Sequence, residues 1–177
     1  MKKTKREDII SVAESLIRKG GYHGFSFRDI AKIVNIKSAS IHYYFPTKAS
    51  LVGVIAKEYT IKFMEQLGEP KDIFEKGEDP IYQYIKVFKG AYFQDKKMCL
   101  CGFLGVESDI LPDEVHKEIK CFFQKNIQWL SDAYVLKGMS SPKQRAFQTL
   151  SLLEGSMISS KVLQDDSLLN IVDHFIH

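Results

Sequence analysis

No stretch of the 177-residue chain approaches about 18 uninterrupted apolar residues, so a membrane-spanning helix is not expected. The start, Met1-Lys2-Lys3-Thr4-Lys5-Arg6, is basic, but a mixed helical pattern follows it instead of the apolar segment of an export signal. A cytoplasmic protein is expected. There are only 3 cysteines, Cys99, Cys101 and Cys121, which cannot all pair within one chain and read as thiols. Strict alternation of apolar and polar residues is weak everywhere, which argues against a sheet. Repeats and low-complexity tracts are lacking, and 45% hydrophobic residues are too many for a disordered chain.

What is present is helical periodicity. Ile9, Val12, Ala13, Leu16 and Ile17 form one apolar stripe, stopped by Gly20-Gly21. Ser26 opens a second helix, with Asp29 three residues on as a capping-box partner and Ile30, Ala31, Ile33 and Val34 as its buried side. Asn35, which tolerates positive φ, ends it. Ser38 is placed to cap a short third helix over residues 39–45, which Pro46 terminates. Thr47 caps a fourth, carrying Leu51, Val52, Ile55, Tyr59 and Phe63 and fading near Gly68-Glu69-Pro70. The stretch from Gly68 to Pro80, rich in charge, Gly and Pro, is the best linker candidate. Further stripes run through Ile81, Tyr84, Ile85, Phe88 and Tyr92 after Pro80, and through Val115, Ile119, Phe122, Phe123, Ile127, Leu130 and Tyr134 after Pro112. Ser141-Pro142-Lys143-Gln144 reads as a capped start, followed by Ala146, Phe147, Leu150, Leu153 and Met157. A last short helix holds Leu168, Leu169, Val172, Phe175 and Ile176. The fold class is all-α.

The net charge of +3 hides an asymmetry: residues 1–50 hold ten Lys/Arg against four Asp/Glu, and residues 51–177 hold fifteen against eighteen. A basic field confined to the first 50 residues suits a polyanion, nucleic acid first, although a solvated basic surface is the plain alternative.

The segment Ser26 to Leu51 holds two short helices joined by a tight turn, the second small and polar on its outer side. That is the helix-turn-helix layout, whose second helix enters the major groove. Ser38, Ala39, Ser40, His42 and Tyr43 suit a base-facing surface: small residues allow close approach, and Ser, His and Tyr bond base edges or phosphates. Ile41 and Phe45 are the expected anchors on the opposite side. Arg28, Lys37, Tyr44 and Lys48 are placed for phosphates, helped by helix starts at Ser26 and Thr47.

Phe25-Ser26-Phe27-Arg28-Asp29-Ile30-Ala31, then Ile36-Lys37-Ser38-Ala39-Ser40-Ile41-His42-Tyr43-Tyr44-Phe45-Pro46-Thr47-Lys48-Ala49-Ser50-Leu51, resembles the N-terminal region of the TetR family of transcriptional repressors. The Tyr-x-Phe-Pro-x-Lys-x-x-Leu run is the most specific part, and the match covers roughly the first 60 residues. Asn35 stands where the family usually has Gly. His42 stands where Tyr is more usual, which bears on base preference. The resemblance implies a homodimer on a palindromic double-stranded operator. It also implies a division into a DNA-binding domain over residues 1–50 and a helical domain over 51–177 that binds a small-molecule effector and dimerises. From the family, the dimer interface is placed on about residues 143–177, where Gly155, Ser156, Ser159 and Ser160 allow close helix approach.

The second region is rich in aromatics. An effector cavity is expected to be lined by some of Tyr59, Phe63, Tyr84, Phe88 and Tyr92, with Phe103, Phe122 and Trp129; the plain alternative for each is core. Met98-Cys99-Leu100-Cys101-Gly102 resembles a Gly-Cys-Leu-type segment that opens the sixth helix in some TetR regulators, where a cysteine senses electrophiles or oxidants. Cys99 best matches that position, and Lys96 and Lys97 are close enough in sequence to favour its thiolate. No cofactor is expected. Cys99, Cys101, Cys121 and His116 have the ligand types of a zinc site, but Cys-x-Cys is tighter than the usual spacing. The rival reading is a thiol- or metal-based sensor or enzyme with no DNA target. No motif flanks a nucleophile, so an enzyme is not expected.

Overall fold

The structure, a computed structural model, describes residues 4–174. Phe175 and Ile176, expected in the last helical stripe, lie outside the described residues. Among those described, every regular element is helical: α1 (Lys5–Gly20), α2 (Phe27–Val34), α3 (Ser38–Tyr44), α4 (Lys48–Leu67), α5 (Pro70–Glu75), α6 (Pro80–Asp95), α7 (Leu100–Val106), α8 (Asp113–Leu136), α9 (Pro142–Leu163) and α10 (Ser167–Ile171). The chain divides into two compact units. One comprises the residues up to Thr60 together with Leu100–Phe122, the other Ile61–Cys99 together with Phe123 onward.

In the first unit, Thr4 and Glu7 cap α1 reciprocally, and Gly21 closes it at φ 72°. Ile9, Ala13 and Ile17 are fully buried, as is Ile30 on α2 and Ile41 on α3. Leu51 and Val52 of α4 and Leu100, Leu104, Val115 and Phe122 of the later segment complete this core. Thr47 caps α4 as expected, its Oγ1 accepting the Ser50 N–H at 3.0 Å. In the second unit the α6 stripe is buried in full, Ile81 through Tyr92, against a core holding Trp129, Leu130, Leu150, Leu153 and Met157.

Five local expectations are corrected. Ile33 is 58% exposed; at about 100° per residue it lies roughly 110° from the centre of the Ile30/Ala31/Val34 face, too far round to reach it. Ser38 is the first residue of α3, and the capping position falls to Lys37, whose side chain cannot accept a backbone N–H. Ser141 sits at the start of α9 but in left-handed geometry (φ 54°) instead of the extended geometry of a capping residue, and its side chain makes no capping bond. Residues 68–80 are not a loose linker: α5 forms there, with Pro70 and Ile73 buried, and the Trp129 indole donates to the Gly68 carbonyl at 2.8 Å. Phe147 is 60% exposed, not part of the α9 core.

Candidate nucleic-acid interface

The site begins with a pair of helix boundaries. The Ser26 N–H donates to Asp29 Oδ2 at 2.7 Å and the Asp29 N–H returns to Ser26 Oγ at 3.4 Å. Ser26 Oγ also donates to Asp29 Oδ2 at 2.7 Å, and this bond, with that from the Ser26 N–H, holds the Asp29 carboxyl below its ordinary range. At the other end of α2, Asn35 is left-handed (φ 56°, ψ 56°), and the Ile36 N–H reaches back to the Ala31 carbonyl at 3.0 Å. That turn sets the direction in which α3 leaves. Ile41 (0% exposed) and Phe45 (3%) fasten α3 from below, as expected from their four-residue spacing. The opposite side is open: Ala39, Ser40, His42 and Tyr44 are exposed, and the Tyr43 ring is 86% exposed.

Of the ten residues expected to meet DNA, five line one open groove of about 510 Å³: Ser26, Arg28, Ser38, His42 and Lys48, joined by Phe25 and Phe27. Lys37, Ala39, Ser40, Tyr43 and Tyr44 stand beside it on or next to α3. Lys48 has a second engagement that sequence reasoning missed. Its ammonium donates to the Phe25 carbonyl at 2.5 Å and lies 4.3 Å from the Phe25 ring centroid and 4.9 Å from that of Tyr22. Burial pushes its pKa down. Lys48 therefore ties the start of α4 to the segment before α2, beyond any contact with phosphate. His42 is also anchored: its Nδ1 lies 3.3 Å from the Pro46 carbonyl and its ring meets Phe27 edge-on at 4.9 Å.

The segment between α1 and α2 is held from a distant part of the chain. The Tyr22 N–H donates to Glu107 Oε2 at 2.6 Å, a link no local pattern signals because 85 residues separate the two. Gly21 is needed there: a Cβ would lie 2.6 Å from that same oxygen. Gly24 is tighter still, since a Cβ would lie 2.3 Å from the Gly20 carbonyl oxygen, which is backbone and cannot swing aside. Gly24→Ala should therefore cost about 2 kcal/mol of stability and several degrees in Tm. A thermal melt that matches the parent would contradict this packing.

Residues 9–55 match the family described as bacterial regulatory proteins, tetR family. A TetR transcriptional regulator from Legionella pneumophila is 36% identical, covering 99% of this chain and 96% of that one, with a TM-score of 0.89. The chain belongs to the TetR family of transcriptional regulators. A TetR-family regulator from Agrobacterium tumefaciens is 25% identical, covering 97% of this chain and 95% of that one, at a TM-score of 0.82. Among curated relatives, the biofilm operon icaADBC negative regulator IcaR of Staphylococcus epidermidis is 28% identical over 73% of this chain and 67% of its own. TetR-like neighbours thus span nearly the whole length, including residues 56–177 beyond the matched N-terminal region.

The residues expected to meet an effector fall into separate groups in this TetR-family chain. In the first unit Tyr59 and Phe122 lie with ring centroids 5.9 Å apart, and Phe103 is half-buried. In the second unit Phe63, Phe88 and Trp129 gather round Tyr84, at centroid distances of 5.8, 6.4 and 5.5 Å. The Tyr84 hydroxyl donates to Asn126 Oδ1 at 2.5 Å, both residues fully buried, and burial pushes the phenol well above its ordinary pKa. Tyr92 continues the buried α6 stripe four residues beyond Phe88, its hydroxyl donating to Asp166 at 2.9 Å. Cys99 is 3% exposed, its N–H donating to Met157 Sδ at 3.1 Å and its thiol hydrogen-bonded to the Glu154 carboxylate. Lys96 pairs with Asp166, and Lys97 with Asp95 at 3.3 Å, so aspartates hold the two ammoniums expected to favour a thiolate. Among the described residues no group of three or more His, Cys, Asp or Glu side chains is arranged to hold a metal. No helix among them is long and apolar enough to cross a membrane.

Proposed function

We propose that the protein is a cytoplasmic, ligand-responsive repressor that binds a palindromic operator as a homodimer. In this reading residues 1–50 contact DNA and residues 51–177 bind the effector and dimerise. The observation that carries it is the exposed face of α3: a short helix fastened by Ile41 and Phe45 that leaves Ala39, Ser40, His42 and a Tyr43 ring 86% exposed, above a groove holding Arg28 and Lys48. A large exposed ring on a small polar helix is poorly explained by folding alone and well explained by a major-groove surface. Repression follows the relatives, IcaR being described as a negative regulator.

Dimerisation through about residues 143–177 is supported by α9. Phe147, Ile158 and Val162 are exposed, and at about 100° per residue they fall within roughly 60° of one another, with Ser151 between them and Gly155 just beside. Among the described residues, nothing beyond the helix's own adjacent backbone lies within 4 Å of where a Gly155 Cβ would be, so folding of the protomer does not require glycine there. A second copy packed on this stripe gives an isologous four-helix contact. An effector is read as small and apolar or aromatic. The thiol-modifying alternative is disfavoured because Cys99 is buried, out of reach of a modifying reagent in the folded chain. α4 contributes Leu51, Val52 and Ile55 to one compact unit and Phe63 and Leu67 to the other, so a change in its tilt on effector binding would alter both DNA contacts of the dimer together. By linkage, the effector must prefer the DNA-incompetent state, and DNA must weaken the effector equally.

The test is the salt dependence of duplex binding. Arg28→Ala and Lys37→Ala should weaken binding similarly across sequences. Each should reduce the slope of log affinity against log salt by about 1 per phosphate contact removed. An unchanged slope in both variants would remove these residues from the phosphate-binding set.

A further inference from the structure

We propose that His42 reads a base as an acceptor, through the lone pair of Nε2, and so demands an exocyclic amine, adenine N6 or cytosine N4, at the base it meets. The inference rests on the DNA-binding reading above and specifies its chemistry. His42 Nδ1 lies 3.3 Å from the Pro46 carbonyl oxygen. A carbonyl only accepts, so the proton of the neutral ring sits on Nδ1 and Nε2 keeps its lone pair. The carbonyl belongs to the proline that ends α3, and the Phe27 ring, edge-on at 4.9 Å, supports the imidazole from the side. Nε2 lies on the far side of the ring from this anchor, on an exposed side chain.

The neighbours make this polarity informative. Arg28 and Lys37 only donate, the hydroxyls of Ser38, Ser40 and Tyr43 both donate and accept, and Ala39 does neither. His42 is thus the acceptor-only group of the base-facing set. In the major groove, guanine offers acceptors at N7 and O6 and thymine at O4, whereas adenine N6 and cytosine N4 donate. An acceptor held in one tautomer by its own backbone accepts the second pair and rejects the first. A tyrosine at this position, with a rotatable hydroxyl, would impose no such rule.

The test uses the full-length protein and a duplex selected from a randomised library at about pH 8. Each adenine of a half-site is replaced in turn by purine, and each cytosine by 2-pyrimidinone, which removes the amine. In parallel, 7-deaza bases remove the N7 acceptor. The same duplexes are bound by His42→Ala, so that any cost of weakened base pairing cancels. At one position per half-site, loss of the amine should weaken wild-type binding by about three- to tenfold and leave His42→Ala unaffected, while 7-deaza substitution there is silent. If the His42-dependent penalty follows N7 instead, the ring donates and the proposal is wrong. If no position shows a His42-dependent penalty, His42 does not read a base, although the selected duplex still establishes DNA binding. Failure to select any duplex would overturn both readings.

Discussion

Ile158→Glu should run as a monomer at micromolar concentration and lose most of its operator affinity while keeping its helical content and melting cooperatively. Ile158 is 45% exposed on the protomer, in the α9 stripe with Phe147 and Val162, so a carboxylate there costs the isolated fold little. In a two-fold interface each substitution appears twice, and the carboxylates face one another or the partner's apolar stripe. A buried, unpaired charge costs about 3–5 kcal/mol. Even half of that per site, doubled, raises the dimer dissociation constant by about a hundredfold to a few thousandfold. Operator binding then loses the linkage between half-sites. Gly155→Trp probes the same face by bulk instead of charge, and among the described residues its Cβ meets nothing within 4 Å beyond the adjacent backbone of its own helix. Sedimentation equilibrium on both variants decides the matter: two unchanged dimers would place the interface elsewhere.

The second large effect lies inside the second unit. The Glu154 carboxyl is buried against Cys99, its Oε1 has no partner, and burial lifts its pKa from 4.5 to about 7. The folded chain therefore holds a proton that the unfolded chain releases between about pH 4.5 and 7. Stability falls as the pH rises through that interval and is level above it. The full penalty at alkaline pH is roughly 3 kcal/mol, from about 1.4 kcal/mol per pKa unit. Glu154→Gln, neutral throughout and still able to accept from the Cys99 thiol, should match the parent near pH 4.5 and exceed it by up to about 3 kcal/mol near pH 8. Urea midpoints at both pH values, at one fixed protein concentration, provide the check. Parallel pH profiles for the two proteins would mean that Glu154 reaches water or a partner in solution.

Much of the N-terminal helix-turn-helix region was legible because its signals are local. Ser26 with Asp29, Asn35 before Ile36, and Pro46 after Phe45 each fix one helix boundary by chemistry within a few residues, and the structure places all three as expected. The Ile81 to Tyr92 stripe was legible for the same reason: the helical period alone selects one face. What escaped is non-local. Lys48 reads as a surface cation in sequence, but its ammonium is set among Phe25 and Tyr22, and Glu107 reaches the Tyr22 amide across 85 residues. Asn126, beside Lys125 on α8, gives no hint that it will be fully buried under the Tyr84 hydroxyl. Phe147 fails differently. Periodicity reports that a face is apolar, and cannot say whether the same chain or a second copy covers it. The effector residues were the least legible, because aromatic content alone does not separate rings that pack on one another from rings that wait for a ligand.

The decisive measurement is retention of randomised duplexes by the full-length protein at low ionic strength, repeated with Tyr43 and Ser40 both replaced by alanine. The parent should retain a two-fold symmetric sequence, two protomers per duplex, with affinity falling steeply as salt rises, and the doubly substituted protein should retain duplex without that sequence. A parent that retains no duplex, or a doubly substituted protein that selects the same sequence as the parent, would contradict the assignment of α3 to the major groove.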